Sequence, residues 1–86
     1  MQRKTKAVLY TKPDCGLCKK MKAEMRLADC EELYALEEVN IEGDPELFAR
    51  YRYDIPVLCL DGVEAFRHRL AADEFKAYVT SLFERS

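Results

Sequence analysis

The chain has 86 residues, 49% of them hydrophobic and 35% charged, with a formal net charge of -2. That length allows one modest core and no second domain, and the composition excludes a disordered chain. The charge balance makes no case for nucleic acid, which needs clustered positive charge, and no apolar run is long enough to cross a bilayer.

The start, Met1-Gln2-Arg3-Lys4-Thr5-Lys6, is basic, as the head of a secretion signal is. The apolar run behind it, Ala7-Val8-Leu9-Tyr10, is too short for a signal core, so a soluble cytoplasmic protein is expected. Lys6 to Thr11 reads as a buried strand, stopped by Pro13. From Cys15 to about Asp29 the period changes. Leu17, Met21, Met25 and Ala28 recur at helical spacing between charged residues, with Asp14 or Cys15 at the cap.

Leu33 to Ile41 ends in Glu38-Val39-Asn40-Ile41, which alternates as a strand does. Asp44-Pro45-Glu46 signals a helix start, a capping carboxylate followed by proline at the first helical position. That helix is expected to run to about Tyr51, burying Leu47, Phe48 and Tyr51. Ile55 to Leu60 reads as a strand, and Asp61-Gly62 as a hairpin turn into a second strand from Val63 to about His68. Phe75, Tyr78, Val79 and Leu82 mark a last amphipathic helix from Ala71 to Phe83.

The order is βαβαββα. Its first half is a βαβ unit, which demands parallel strands and a right-handed crossover; its second half is a hairpin and a helix. Together they predict an α/β chain with a four-stranded mixed sheet and three helices on its two faces, the core of a thioredoxin fold. Residues 1–86 are expected to form this one domain.

Cysteines stand at 15, 18, 30 and 59. Cys15-Gly16-Leu17-Cys18 falls where the first strand gives way to the first helix. The chemistry favours that place, because unpaired N–H groups and the helix dipole there stabilise a thiolate, the nucleophilic form of cysteine. Cys15 would attack, and Cys18, one turn on and more enclosed, would resolve the mixed disulfide. Lys12 and Lys19 would add positive potential; Asp14 would oppose it. The rival reading of a C-x-x-C is half of a zinc site, but Cys30, Cys59 and His68 form no second knuckle, so no metal is expected.

Pro56 removes a ladder hydrogen bond at the head of a strand, which fits either an edge position or a cis Ile55-Pro56 bond. A cis bond would leave neighbouring backbone free to pair with a substrate chain. Cys30 and Cys59 read as structural thiols, Cys59 as a small buried hydrophobe. Met21 and Met25 read as core filler. Arg67-His68-Arg69 is a basic cluster, either a solvated rim or a landing place for an acidic substrate or for glutathione carboxylates.

Tyr10-Thr11-Lys12-Pro13-Asp14 with the two cysteines, Asp44-Pro45-Glu46-Leu47 and Ile55-Pro56-Val57 resembles the glutaredoxin branch of the thioredoxin superfamily. It is especially similar to short glutaredoxin-like proteins whose site reads C-x-L-C. The resemblance implies a thiol-disulfide oxidoreductase that reduces protein disulfides or glutathione mixed disulfides. In it Cys15 and Cys18 are catalytic, Pro56 is a cis-proline, and Lys12, Leu17, Ile55 and Pro56 contact substrate. Lys12 takes the place of a lysine that holds a glutathione carboxylate. Glutathione is then a candidate co-substrate, no cofactor is tightly bound, and the protein works as a monomer.

The sequence also departs from the family. Gly16-Leu17 replaces Pro-Tyr between the cysteines, no Gly-Gly pair precedes the last helix, and there is no Trp. Two alternatives follow. One is a glutathione-dependent 2Fe–2S cluster-binding module, suggested by the likeness of Cys15-Gly16-Leu17 to a monothiol Cys-Gly-Phe-Ser site. The other is a thioredoxin-fold interaction protein without turnover.

Overall fold

β1 (Thr5–Thr11) alternates as its sequence demands, with Thr5, Ala7 and Leu9 buried on one face and Val8 and Tyr10 half-buried on the other. Its edges are paired with β2 and β3, and its two faces contribute to separate clusters, Ala7 and Leu9 to one and Tyr10 to the other. The computed structural model describes residues 4–85; Met1-Gln2-Arg3, the head of the basic start, and Ser86 lie outside the described residues.

α1 (Gly16–Ala28) buries Cys18, Met21, Met25 and Ala28. Leu17, expected in that stripe, is 41% exposed; Cys18 takes the inward position and turns Leu17 out by one residue's rotation. The helix ends where Asp29 turns left-handed (φ 54) and its N–H donates to the Arg26 carbonyl at 3.0 Å. Asp tolerates that conformation better than most residues.

β2 (Tyr34–Asn40) runs parallel to β1, from Thr5 opposite Tyr34 to Thr11 opposite Asn40. It starts four residues before the alternation at 38–41, and Ile41 lies beyond it in a 3₁₀ turn, fully buried. As an edge strand with Tyr34 its one buried residue, β2 carries little hydrophobic period to read. α2 (Pro45–Tyr51) begins as expected: Asp44 Oδ1 accepts from the Glu46 and Leu47 N–H groups at 2.9 and 3.3 Å.

β3 (Val57–Leu60) pairs antiparallel with β1 on one side and with β4 (Val63–Arg67) on the other. Asp61 (φ 51) and Gly62 (φ 83) both take the left-handed conformation that a tight two-residue hairpin needs. The register slips so that Leu58 faces Phe66 while Cys59 faces Glu64, leaving Ala65 as a bulge. β4 stops one residue short of His68, which is also left-handed (φ 70) and turns the chain out of the strand. α3 spans Ala72–Arg85.

The sheet order is β2-β1-β3-β4. α1 and α3 pack on one face over Leu9, Met25, Leu58, Phe75 and Val79. α2 covers the other with Tyr51 over Ile41, Ile55 and Val57. This is the thioredoxin-fold arrangement, four mixed strands and three helices in βαβαββα order.

Candidate functional site

The chain leaves β1 through Lys12-Pro13-Asp14 and re-enters regular structure at Cys15. Asp14 is left-handed (φ 57), which turns the chain, and Cys15 is the extended residue capping α1. Its Sγ accepts a hydrogen bond from the Cys18 N–H at 3.2 Å. A cysteine sulfur therefore fills the place that a serine or aspartate oxygen usually holds at an N-cap. Cys15 and Cys18 are disulfide-bonded, with Cα atoms 5.2 Å apart.

The two sulfurs differ in access. Cys15 is half-buried, whereas Cys18 is 3% exposed. An incoming group can therefore reach Cys15 first. Both line a cavity of about 270 Å³ shared with Lys12, Asp14, Lys19 and Lys22. Lys22 is tied to Glu38 at 2.7 Å. Lys12 and Lys19 form no ion pair among the described residues, and the first turn of α1 holds no acid; both features favour an anionic sulfur, and Asp14 in the same cavity opposes it.

The Ile55–Pro56 bond is cis, as the resemblance implied. The edge reading of Pro56 fails, since β3 has a neighbour on each side. Ile55 and Cys18 share the α2-side cluster, with Cys15 packed against it, so the fold brings the proline loop and the cysteine pair together. The backbone beside the proline is less free than expected. The Ile55 N–H donates to the Tyr51 carbonyl at 3.1 Å, and the Pro56 carbonyl accepts from the His68 N–H at 2.8 Å. Compact α2 ends close enough to Ile55 to take its N–H first.

Arg67 is not part of a free basic rim. It makes two 2.9 Å hydrogen bonds to the Glu64 carboxylate and lies 3.3 Å from Asp54, one residue before Ile55. Hydrogen bonding to Arg67 holds the Glu64 carboxyl below the usual range. Residues three apart in a regular strand face opposite ways; the bulge at Ala65 lets Glu64 and Arg67 meet, and that bulge left no mark in the sequence. His68 and Arg69 instead line a second cavity with Leu17, which sequence reasoning had not joined to them.

The other two cysteines are free thiols. Cys30 is fully buried on the α1/α3 side, and burial, with Glu32 and Glu31 nearby, pushes its thiol pKa up. Cys59 is half-buried rather than buried, because it faces the smaller α2-side cluster; burial raises its pKa too, reinforced by Glu64 and partly offset by Arg50. Among the described residues, no three His, Cys, Asp or Glu side chains gather as a metal-binding group. No described helix is long and apolar enough to cross a membrane.

Comparison with known proteins agrees with this geometry. The glutaredoxin-like domain family (DUF836) matches residues 6–80. The glutaredoxin-like protein YDR286C homolog of Dictyostelium discoideum is 32% identical over 75 residues, spanning 80% of this chain and 68% of that protein. Protein Ne2328 from Nitrosomonas europaea superposes with a TM-score of 0.75 at 30% identity, covering 91% of this chain and 94% of its own. A thioredoxin from Halobacterium salinarum shares the fold at a TM-score of 0.68 and 16% identity, over 94% of this chain and 76% of its own. A disulfide capping the first helix of a thioredoxin fold, matched over most of its length by that family, places the chain in the glutaredoxin-like domain family.

Proposed function

We propose that the protein is a dithiol oxidoreductase that reduces protein disulfides or glutathione mixed disulfides. The observation that carries the reading is the Cys18 N–H directed at the Cys15 sulfur at the N-terminus of α1. In the reduced protein the same N–H and the helix dipole stabilise the Cys15 thiolate. That thiolate attacks one sulfur of the substrate disulfide, forming a mixed disulfide and expelling the other sulfur as a thiolate, which takes a proton from solvent. Cys18, as its thiolate, then attacks the Cys15 sulfur, the second substrate thiolate leaves, and the Cys15–Cys18 disulfide forms. Two electrons pass from the dithiol to the substrate.

Lys12, in the cavity beside both cysteines, is assigned to a substrate carboxylate, that of glutathione included. Leu17, exposed between the cysteines, and the buried Ile55-Pro56 step are assigned to apolar substrate contact. Glutathione is the proposed reductant for the next cycle. A single-domain, monomeric protein working in the reducing cytoplasm fits this role.

The test is glutathione-dependent reduction of a mixed disulfide coupled to glutathione reductase, run on the wild type and on Cys15→Ser. Activity in the wild type that falls to background in the variant is the expected result. Equal activity in both would remove Cys15 from the chemistry. Inactivity of both would sink glutathione as the reductant and turn attention to a thioredoxin-like electron supply.

A further inference from the structure

One side of α1 forms a groove with the segment that joins β4 to α3. Leu17, Lys20, Met21 and Glu24, at i, i+3, i+4 and i+7, share one helix face, and His68, Arg69 and Leu70 form the opposite wall. The groove encloses about 370 Å³ and begins at Leu17, the residue before Cys18. Its floor is apolar, with Met21 and Leu70 buried and Leu17 partly exposed.

Its rim is cationic. Lys20 and Arg69 are exposed and form no ion pair among the described residues. The groove has one carboxylate, Glu24, whose Oε1 accepts from the Ala72 N–H at 3.2 Å, so the two cations still outnumber it. Across the disulfide, Lys12 and Lys19 stand in the other cavity, opposed there by Asp14, while Lys22 and Glu38 neutralise each other. Cations thus flank the cysteine pair on both sides of a chain whose formal net charge is -2. The positive charge gathers on this face, and acid prevails elsewhere.

From this we infer that the groove is a docking surface for the substrate protein, taking an extended acidic segment that carries an apolar side chain beside its disulfide cysteine. The inference rests on the dithiol reading above and adds the substrate's chemistry to it. The apolar side chain would pack on Leu17, Met21 and Leu70, and flanking carboxylates would meet Lys20 and Arg69. Charge of this kind chiefly governs encounter and partner choice. An acidic substrate would therefore be favoured in the bimolecular step.

Two synthetic peptides test it, each with one cysteine in disulfide linkage to 2-mercaptoethanol and a leucine beside it. One carries flanking aspartates and glutamates, the other lysines. The reduced wild-type protein should reduce the acidic peptide about tenfold faster or more at low ionic strength. The ratio should shrink in about 1 M salt, where the screening length falls to about 3 Å. It should collapse in the Lys20→Glu/Arg69→Glu protein, and fall part of the way in Lys20→Gln should the double variant misfold. Because the ratio is internal to each protein, a general loss of activity does not mimic the effect. Equal rates for the two peptides in the wild type, or an acidic preference undiminished in a folded variant, would overturn the inference. The neutral bis(2-hydroxyethyl) disulfide separates the two levels: a wild type that cannot reduce it refutes the dithiol reading, whereas one that reduces it while treating the peptides alike refutes the docking groove only.

Discussion

Cys15 is half-buried with its sulfur against the amide of Cys18, whereas Cys30 is fully buried in the α1/α3-side cluster and Cys59 faces the α2-side cluster. Residue type alone does not separate the four cysteines; position does. The spacing of Cys15 and Cys18 at a strand-to-helix junction was legible because both signals are local. The partial exposure of Cys59 was not, since it depends on how much apolar surface the short helix α2 supplies. Arg67 shows the same limit, as its partners Glu64 and Asp54 reach it through a bulge and through tertiary contact. The pair also sets a pH dependence. Because Arg67 holds the Glu64 carboxyl below its unfolded value, the contact supports the fold above the ordinary glutamate range and is lost as pH falls through the lowered value. Arg67→Gln should therefore be less stable than wild type near neutral pH, with the gap closing below about pH 4. Urea melts of both proteins across that range measure it; a gap of constant size would show that Arg67 acts by packing rather than by charge. The effect should be small, since both partners are exposed to screening.

Among the elements, α2 shows most directly how a local signal becomes a site. Seven residues are too few for a helix to persist by propensity, so it depends on its cap and on packing. Asp44 accepts from two of the first N–H groups, and Tyr51 at the far end stacks on Tyr10 with ring centres 4.7 Å apart. Asp44→Ala should cost about 1 kcal/mol, within a range of roughly 0.5–2, read as a lower urea midpoint at unchanged slope. Asp44→Asn should recover most of the loss, and a loss shared equally by both variants would mean that the charge rather than the hydrogen bonds matters. Elements with such punctuation were readable: the proline at the start of α2, the Asp61-Gly62 turn and the helical period of α1. Those without it were not. β2 lies on an edge and exposes most of its residues, so its first half lacks a period. The end of β4 is set by His68 at positive φ, a position where glycine would have been the signal.

At the scale of the molecule, the sheet separates what holds the fold from what does the chemistry. β1 contributes to both sides by its two-residue period, Ala7 and Leu9 to the α1/α3 cluster and Tyr10 to the α2-side cluster that contains Cys18 and Ile55. The first cluster is the larger and includes Phe75, Met25 and Val79, each at most 2% exposed. A cavity made there should weaken the whole fold without altering the thiol's surroundings. Met25 is seven residues beyond Cys18 in α1, roughly 10 Å along the helix axis. Met25→Ala should cost about 2–5 kcal/mol, a large share of the roughly 4–13 kcal/mol expected for a domain of this length. That corresponds to a melting temperature lower by at least about 8 °C. The rate at which iodoacetamide alkylates Cys15 in the reduced protein, measured well below the transition, should stay within about twofold of wild type, because the α1 N-terminus and its Cys18 N–H are untouched. A Cys15 rate that fell in step with the melting temperature would show instead that the two faces act as one unit, with thiolate stabilisation drawn from the packing of α1 along its full length rather than from its first turn.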